Sequence, residues 1–238
     1  MASTETGPAQ GARGSGFLAV ILGPDGAGKT SMTYEMQALA DDWHFASLHP
    51  ESLYPLDGIP EYNSWALSTH PRKYVAHMRP LTRISFFTHV LSMAWEYHMR
   101  PHLDAGGVVV SDSYWYRTAV KESVQNPDAV FLFQTLAATL PEPDLVIWLD
   151  LPLTESWRRN GTPTTFEFDG AVPSYEAYER FQQRVLDELR YLLPAHVPQI
   201  SIDATRSARE VAVAAWEAID KAAEGARPQL PQPADEVV

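Results

Sequence analysis

Cysteine is absent from the 238 residues, which excludes disulfides, iron–sulfur clusters, cysteine-ligated zinc and thiol catalysis together. Lysine is scarce, with four in the chain, so each is a position to account for. Positive charge as a whole is in deficit: 18 Lys and Arg face 30 Asp and Glu, a formal net charge of −12. That sign opposes the basic footprint of a general nucleic-acid binder. A chain that handles anions on this background has to concentrate positive potential in a cleft or at a helix N-terminus. Apolar runs such as 17–22 and 145–149 fall far short of the roughly 20 residues of a membrane-spanning helix, so no membrane is expected as a partner. The first fifteen residues hold no basic start followed by an apolar stretch, and a cytoplasmic location is the expectation. The histidines show no H-E-x-x-H spacing and are scattered among aromatics, which argues against a zinc site.

What is present is enough apolar and aromatic residue, 45% and 11%, to build a sizeable core. Short β-branched or apolar runs alternate with longer amphipathic stretches, the pattern of βαβ units in an α/β fold. Strands are expected over 17–22, 45–48, 108–111, 145–149 and 199–202, and helices over 29–40, 81–103, 117–124, 128–140, 174–193 and 207–223. Ser174 is a candidate helix cap and Gly106-Gly107 a helix stop. Asp150 is expected to cap a helix that starts after its strand. Residues 1–15 and 226–238 read as disordered tails around one domain, 16–225. Segments 50–63 and 160–173 resist assignment, and long irregular stretches inside a compact domain often serve as lids or binding loops.

Gly23-Pro-Asp-Gly-Ala-Gly28-Lys29-Thr30 fits G-x-x-x-x-G-K-[ST], and it follows an apolar strand and opens a helical stretch, as that motif requires. Glycines allow the backbone to turn its N–H groups inward around phosphate oxygens, and the following helix adds its positive end. Lys29 is then expected to bridge β- and γ-phosphates and the Thr30 hydroxyl to bind Mg²⁺. Gly23, Asp25, Gly26, Ala27, Gly28, Lys29, Thr30 and Ser31 are the expected nucleotide-binding set.

Together with this loop, several segments resemble the thymidylate kinase family of P-loop nucleotide kinases over roughly residues 17–223. Arg100-Pro-x-Leu103, a short spacer and Val108-Val-Val-Ser-Asp112 look like the family's helix end, third strand and Asp-Arg-Tyr motif. Pro143 to Asp150 resembles its fourth strand, Ile202-Asp-Ala204 its last, and 174–193 the helix after its mobile lid. The resemblance implies a three-layer α/β/α fold with a parallel five-stranded sheet, ATP and Mg²⁺ as cofactors, and a lid at about 158–173. It further implies that Asp25 meets a sugar hydroxyl of the acceptor, that Asp112 acts near Mg²⁺ or the acceptor, and that Phe87 stacks on the acceptor base. With Gly26 at the loop position where some members carry a catalytic arginine, Arg158 or Arg159 of the lid is expected to supply that charge. A homodimer through the 81–103 helix, with Phe86, Phe87, Val90 and Met93 on its face, is also implied.

The departures fall on the acceptor side. Ser113 stands where the family's Asp-Arg-Tyr arginine grips the acceptor phosphate, with Tyr114 after it. Leu91 stands where a thymine-facing arginine is expected, and His49-Pro-Glu-Ser replaces the Arg-Glu-Pro-Gly-Gly run. Arg72, Lys73, Arg79, Arg83, Arg117 and Lys121 flank that side, and Arg79, Arg83 and Arg117 are the candidates to hold a phosphate in place of the lost arginine. Tyr114 is an expected acceptor-binding residue, and Trp115 and Tyr116 are candidate walls of the acceptor pocket. The expectation is an ATP-dependent phosphotransferase acting on a nucleoside monophosphate or related small acceptor, and not on thymidylate. The alternatives are a kinase of a nucleoside or specialised-metabolite hydroxyl, and a non-catalytic nucleotide-binding module.

Overall fold

The structure, a computed structural model, describes residues 16–40, 43–47, 77–126, 131–161, 167–168 and 172–226. The expected tails apart from Ala226, which ends the last helix, lie outside the described residues, as do Arg72, Lys73, the 50–63 segment and part of the 160–173 segment.

Strand β1 (Phe17–Leu22) is buried along its whole length, as a central strand of a parallel sheet must be when helices cover both faces. Its side chains alternate between two cores. Leu18, Val20 and Leu22 join one, with Val109, Val146 and Trp148; Phe17, Ala19 and Ile21 join the other, with Val108, Val110 and Ile147. The expected parallel five-stranded sheet is present, in the order β2-β3-β1-β4-β5, with β2 (His44–Ser47), β3 (Val108–Asp112), β4 (Leu145–Asp150) and β5 (Gln199–Asp203). All four pairings are parallel. β1 therefore lies between β3 and β4, where successive crossovers leave toward opposite sides, and ligands of open α/β sheets bind at the carboxyl ends of strands flanking such a point.

Helices α1 (Lys29–Gln37) and α8 (Ala208–Ala226) cover one face through Met32, Met36, Val211, Ala215 and Ile219. The other face is covered by α2 (Pro80–Ala94), α3 (Arg100–Asp104), α4 (Tyr116–Gln125), α5 (Phe131–Thr139) and α7 (Tyr175–Leu192). The single helix expected over 81–103 is interrupted, since one π-helical turn, Trp95–Met99, joins α2 to α3. The stop at Gly106-Gly107 is as expected: Gly106 has φ 82°, and the two amides donate to the carbonyls of Leu103 and His102 at 3.0 Å. Ser174 caps α7 by accepting from the Ala177 amide. Ser207 and Glu210 form a reciprocal capping box before α8.

Two expectations on this scaffold are corrected. Asp150 does not cap α6 (Leu153–Asn160): Pro152 occupies the N-cap and no side chain bonds there. Tyr114, Trp115 and Tyr116 do not wall an open pocket but are packed in the core, where the Tyr114 hydroxyl donates to the Pro141 carbonyl at 3.1 Å. Leu91 is likewise a core residue. On the face implied for dimer contact, Val90 is buried within this chain, and Phe86, Phe87 and Met93 are half-buried.

Candidate active site

The loop 23–30 leaves β1 at its carboxyl end. Gly23, Gly26 and Gly28 have φ of 148°, 74° and 85°, a region open to glycine and strained for other residues. Residue 26 is constrained twice, because a Cβ there would stand 2.9 Å from the Ser156 carbonyl oxygen. An arginine therefore has no strain-free place at this point of the loop. Ala27 is buried under the sheet, and Ser31 is exposed in the first turn of α1.

The Lys29 ammonium is buried beside the loop, donating to the carbonyls of Pro24 at 2.8 Å and Gly23 at 3.2 Å. Burial lowers its pKa, with Asp112 and Glu167 opposing. Thr30 donates to Asp112 Oδ2 at 3.0 Å, and the Ser113 hydroxyl donates to Oδ1 at 2.7 Å. Ser113 and Tyr114 both have positive φ, 69° and 44°. This sharp turn at the end of β3 directs the buried Ser113 side chain back onto Asp112 rather than outward to an acceptor.

The hydroxyl of Thr30 and the carboxylate of Asp112 make a hard-oxygen pair fitted to Mg²⁺. No group of three or more metal-ligating His, Asp or Glu occurs among the described residues. Such a pair suits a cation that keeps waters and takes its other ligands from substrate phosphates, which is the habit of Mg²⁺.

Asp25 is the hub on the other side of the loop. Its carboxylate pairs with Arg117 and Lys121 of α4 and accepts from Gln182 Nε2 of α7 at 2.7 Å. Its carbonyl accepts from Tyr178 at 3.1 Å and from Ser156. In the sequence Lys121 stands only among the flanking cations, and Gln182, Ser156 and Tyr178 belong to no motif that marks them. Gln182 did leave a signal, as a polar residue within the buried stripe Tyr178, Phe181, Val185, Leu186 and Leu189 of α7.

The remaining candidates separate. Arg83 is buried in a bidentate ion pair with Glu122, a helix-to-helix clamp that removes it from the phosphate-holding candidates, because its charge is already neutralised out of solvent. Arg79 is exposed at the N-cap of α2, and Phe87 is half-buried against Phe86, ring centroids 6.0 Å apart. Arg158 and Arg159 both bond Glu155, but their side chains are 73% and 28% exposed. Arg159 also donates to the Ala204 carbonyl at 2.9 Å, and its Cβ is 3.6 Å from where a Cβ on Gly26 would stand.

No family model matches the chain. A probable thymidylate kinase of Staphylothermus marinus is 28% identical over 198 residues, 81% of this chain and 88% of that protein. One of Pyrococcus horikoshii is 29% identical over 163 residues, 64% of this chain and 75% of its own. One of Thermococcus gammatolerans is 40% identical over 75 residues, 31% of this chain and 36% of its own. These matches support a thymidylate-kinase-like family. With it comes an enzyme of the P-loop phosphotransferase class, in agreement with the glycine loop, the parallel sheet and the Thr30–Asp112 pair. No helix among the described residues is long and apolar enough to cross a membrane.

Proposed function

We propose that the chain transfers the γ-phosphoryl group of ATP to a small-molecule acceptor, a nucleoside monophosphate or a related compound other than thymidylate. The observation that carries this reading is the juxtaposition at one strand end of Lys29, buried in the glycine loop, with the Thr30–Asp112 pair. Lys29 is placed to hold the β- and γ-phosphate oxygens, and the loop N–H groups with the α1 N-terminus orient them. Thr30 and Asp112 would hold Mg²⁺, which neutralises charge on those oxygens when bound. Arg159, beside the loop, is the better-placed lid cation. Catalysis on this arrangement is positioning and charge stabilisation with no covalent enzyme intermediate.

Support for a changed acceptor comes from Ser113, whose hydroxyl is committed to Asp112, and from Leu91 in the core. Neither supplies the cation that the family resemblance puts there. ADP release measured against a panel of nucleosides and monophosphates tests the reading. ADP formed only when one acceptor is present, and more slowly with thymidylate, is the expected result. Tight ATP binding without turnover on any acceptor would favour a non-catalytic nucleotide-binding module.

A further inference from the structure

Gln182 is a polar residue within an apolar stripe. On α7 the stripe runs through Tyr178, Phe181, Val185, Leu186 and Leu189, and Gln182 among them is 1% exposed. A primary amide held out of water costs free energy unless its donors and acceptor are matched, and helix packing alone is served as well by Leu or Met. Its partners all lie toward the glycine loop. Oε1 accepts from the Asp25 amide N–H at 3.1 Å, while Nε2 donates to Asp25 Oδ2 at 2.7 Å and to the Glu167 carbonyl at 3.4 Å. Exchanging the oxygen and nitrogen would set N–H against N–H and oxygen against carboxylate, so these partners leave the amide one orientation.

The bond to the Asp25 N–H reaches Lys29 by a short covalent route. That N–H and the Pro24 carbonyl are the two ends of one planar peptide unit. The Pro24 carbonyl accepts from Lys29 Nζ at 2.8 Å and from the Ala27 amide at 3.2 Å. Gln182 therefore grips one end of the peptide and the Lys29 ammonium meets the other. Gly23 and Gly26 stand on either side, with φ of 148° and 74°, and glycine backbone does little to hold a peptide plane by itself. The next carbonyl, that of Asp25, is fixed by the Ser156 and Tyr178 hydroxyls. With its N–H given to α7, Asp25 is not one of the loop residues that turn an N–H toward phosphate.

We infer that Gln182 is a positioning residue for phosphoryl transfer. It locks the Pro24–Asp25 peptide so that the Pro24 carbonyl holds the Lys29 ammonium in place for the transferring phosphoryl group, and it touches neither nucleotide nor acceptor itself. This deepens the phosphotransfer reading and rests on it.

The test has two arms, both on the full chain. In the first, backbone amide resonances of the wild-type protein are followed by NMR as a non-hydrolysable ATP analogue and Mg²⁺ are added. The Asp25 amide should stay protected from solvent exchange and shift less than the amides of Gly28 and Lys29, because its partner is Gln182 before and after binding. Loss of that protection, or a shift as large as theirs, means that this N–H turns to phosphate and overturns the inference with no variant needed. The second arm measures turnover on the best acceptor of the nucleoside and monophosphate panel. Gln182→Met keeps the volume and removes the amide. It should lower kcat by about tenfold or more, since misplacing a group by about 1 Å costs up to about 10²-fold. The affinity for the ATP analogue should stay within about threefold of wild type, as for a group that serves the transition state. In a Lys29→Met background the same change should have little further effect on kcat, because Gln182 acts through Lys29. Equal losses in the two backgrounds would reduce Gln182 to a packing residue and overturn the inference. Wild-type kcat in Gln182→Met would overturn it too and leave phosphotransfer standing. Wild-type protein that binds the analogue and transfers to no acceptor would fail the phosphotransfer reading instead, and the Asp25 amide would still decide whether the peptide is locked.

Discussion

Thr30 and Asp112 are 82 positions apart in the chain, and the threonine hydroxyl donates to the aspartate Oδ2 at 3.0 Å. Parallel pairing makes the contact possible: Ile21 lies opposite Asp112, and the glycine loop turns the chain back so that the first residues of α1 stand over the same strand end. If this pair holds Mg²⁺, then Thr30→Ala removes one of two protein oxygens and should raise the Mg²⁺ concentration for half-maximal turnover by about tenfold, roughly 1.4 kcal/mol. Titration of ADP release with Mg²⁺ at saturating ATP reads this directly. An unchanged Mg²⁺ curve would take Thr30 out of the metal site.

Lys29 makes its described hydrogen bonds to loop carbonyls, so its removal costs the fold little while depriving the phosphates of a preorganised charge. Lys29→Met should lower kcat by about 10²–10³, the usual cost of one such donor, on the order of 2.7–4 kcal/mol. The thermal midpoint should move only slightly. Near wild-type turnover in the variant would remove the loop from the mechanism.

Arg83 and Glu122 are both buried, and their double hydrogen bond ties α2 to α4. Replacing one partner strands the other charge out of water, so Glu122→Gln or Arg83→Met should each cost about 3–5 kcal/mol of stability. Exchange of both for apolar residues of similar volume should cost much less than either single change. Urea denaturation of the three variants checks this. Additive losses would show that the pair is not coupled.

Much of the scaffold was legible because periodicity and composition carry it. A run such as Phe17–Leu22, apolar throughout, can satisfy both faces of a parallel sheet only at its centre, and that is where β1 lies. The loop was legible because few sequences put glycines, lysine and threonine at that spacing. The partners of Asp25 were harder to see, since Lys121, Ser156 and Gln182 come from three further helices and only tertiary packing selects them. Tyr114 misled for the opposite reason. Its place after Asp112 suggests a pocket, but two consecutive residues with positive φ turn that side chain into the core.

Gly26 offers a test of why the loop lacks an arginine. Restoring one by Gly26→Arg puts a side chain at φ 74° with its Cβ 2.9 Å from a backbone oxygen of α6. Strain of that kind costs about 1–3 kcal/mol, and relief would require α6 to shift away from the loop. The variant should be less stable and no more active. A stable variant with faster turnover would show that α6 yields readily and that the loop tolerates a cation.

Glu155 decides which lid arginine is available. It accepts from Arg158 twice and from Arg159 once, each at 2.7 Å, and these two arginines hold its pKa down to about 2. Because the folded-state value is depressed, whatever this triad contributes is fully present above the ordinary carboxylate range and is lost only as pH falls through about 2. The clamp is therefore intact at any pH where the enzyme works, and a carboxyl titration by NMR should find Glu155 ionised down to about that value. Within the clamp, Arg158 extends into solvent, whereas Arg159 lies against the loop and the Ala204 carbonyl. Arg158→Ala should then leave turnover within about threefold of wild type. Arg159→Ala should depress kcat by about 10³ with ATP affinity little changed, as for a cation used in the transition state. Equal activity in both single variants and in the double variant would mean that neither arginine serves the transferring phosphoryl.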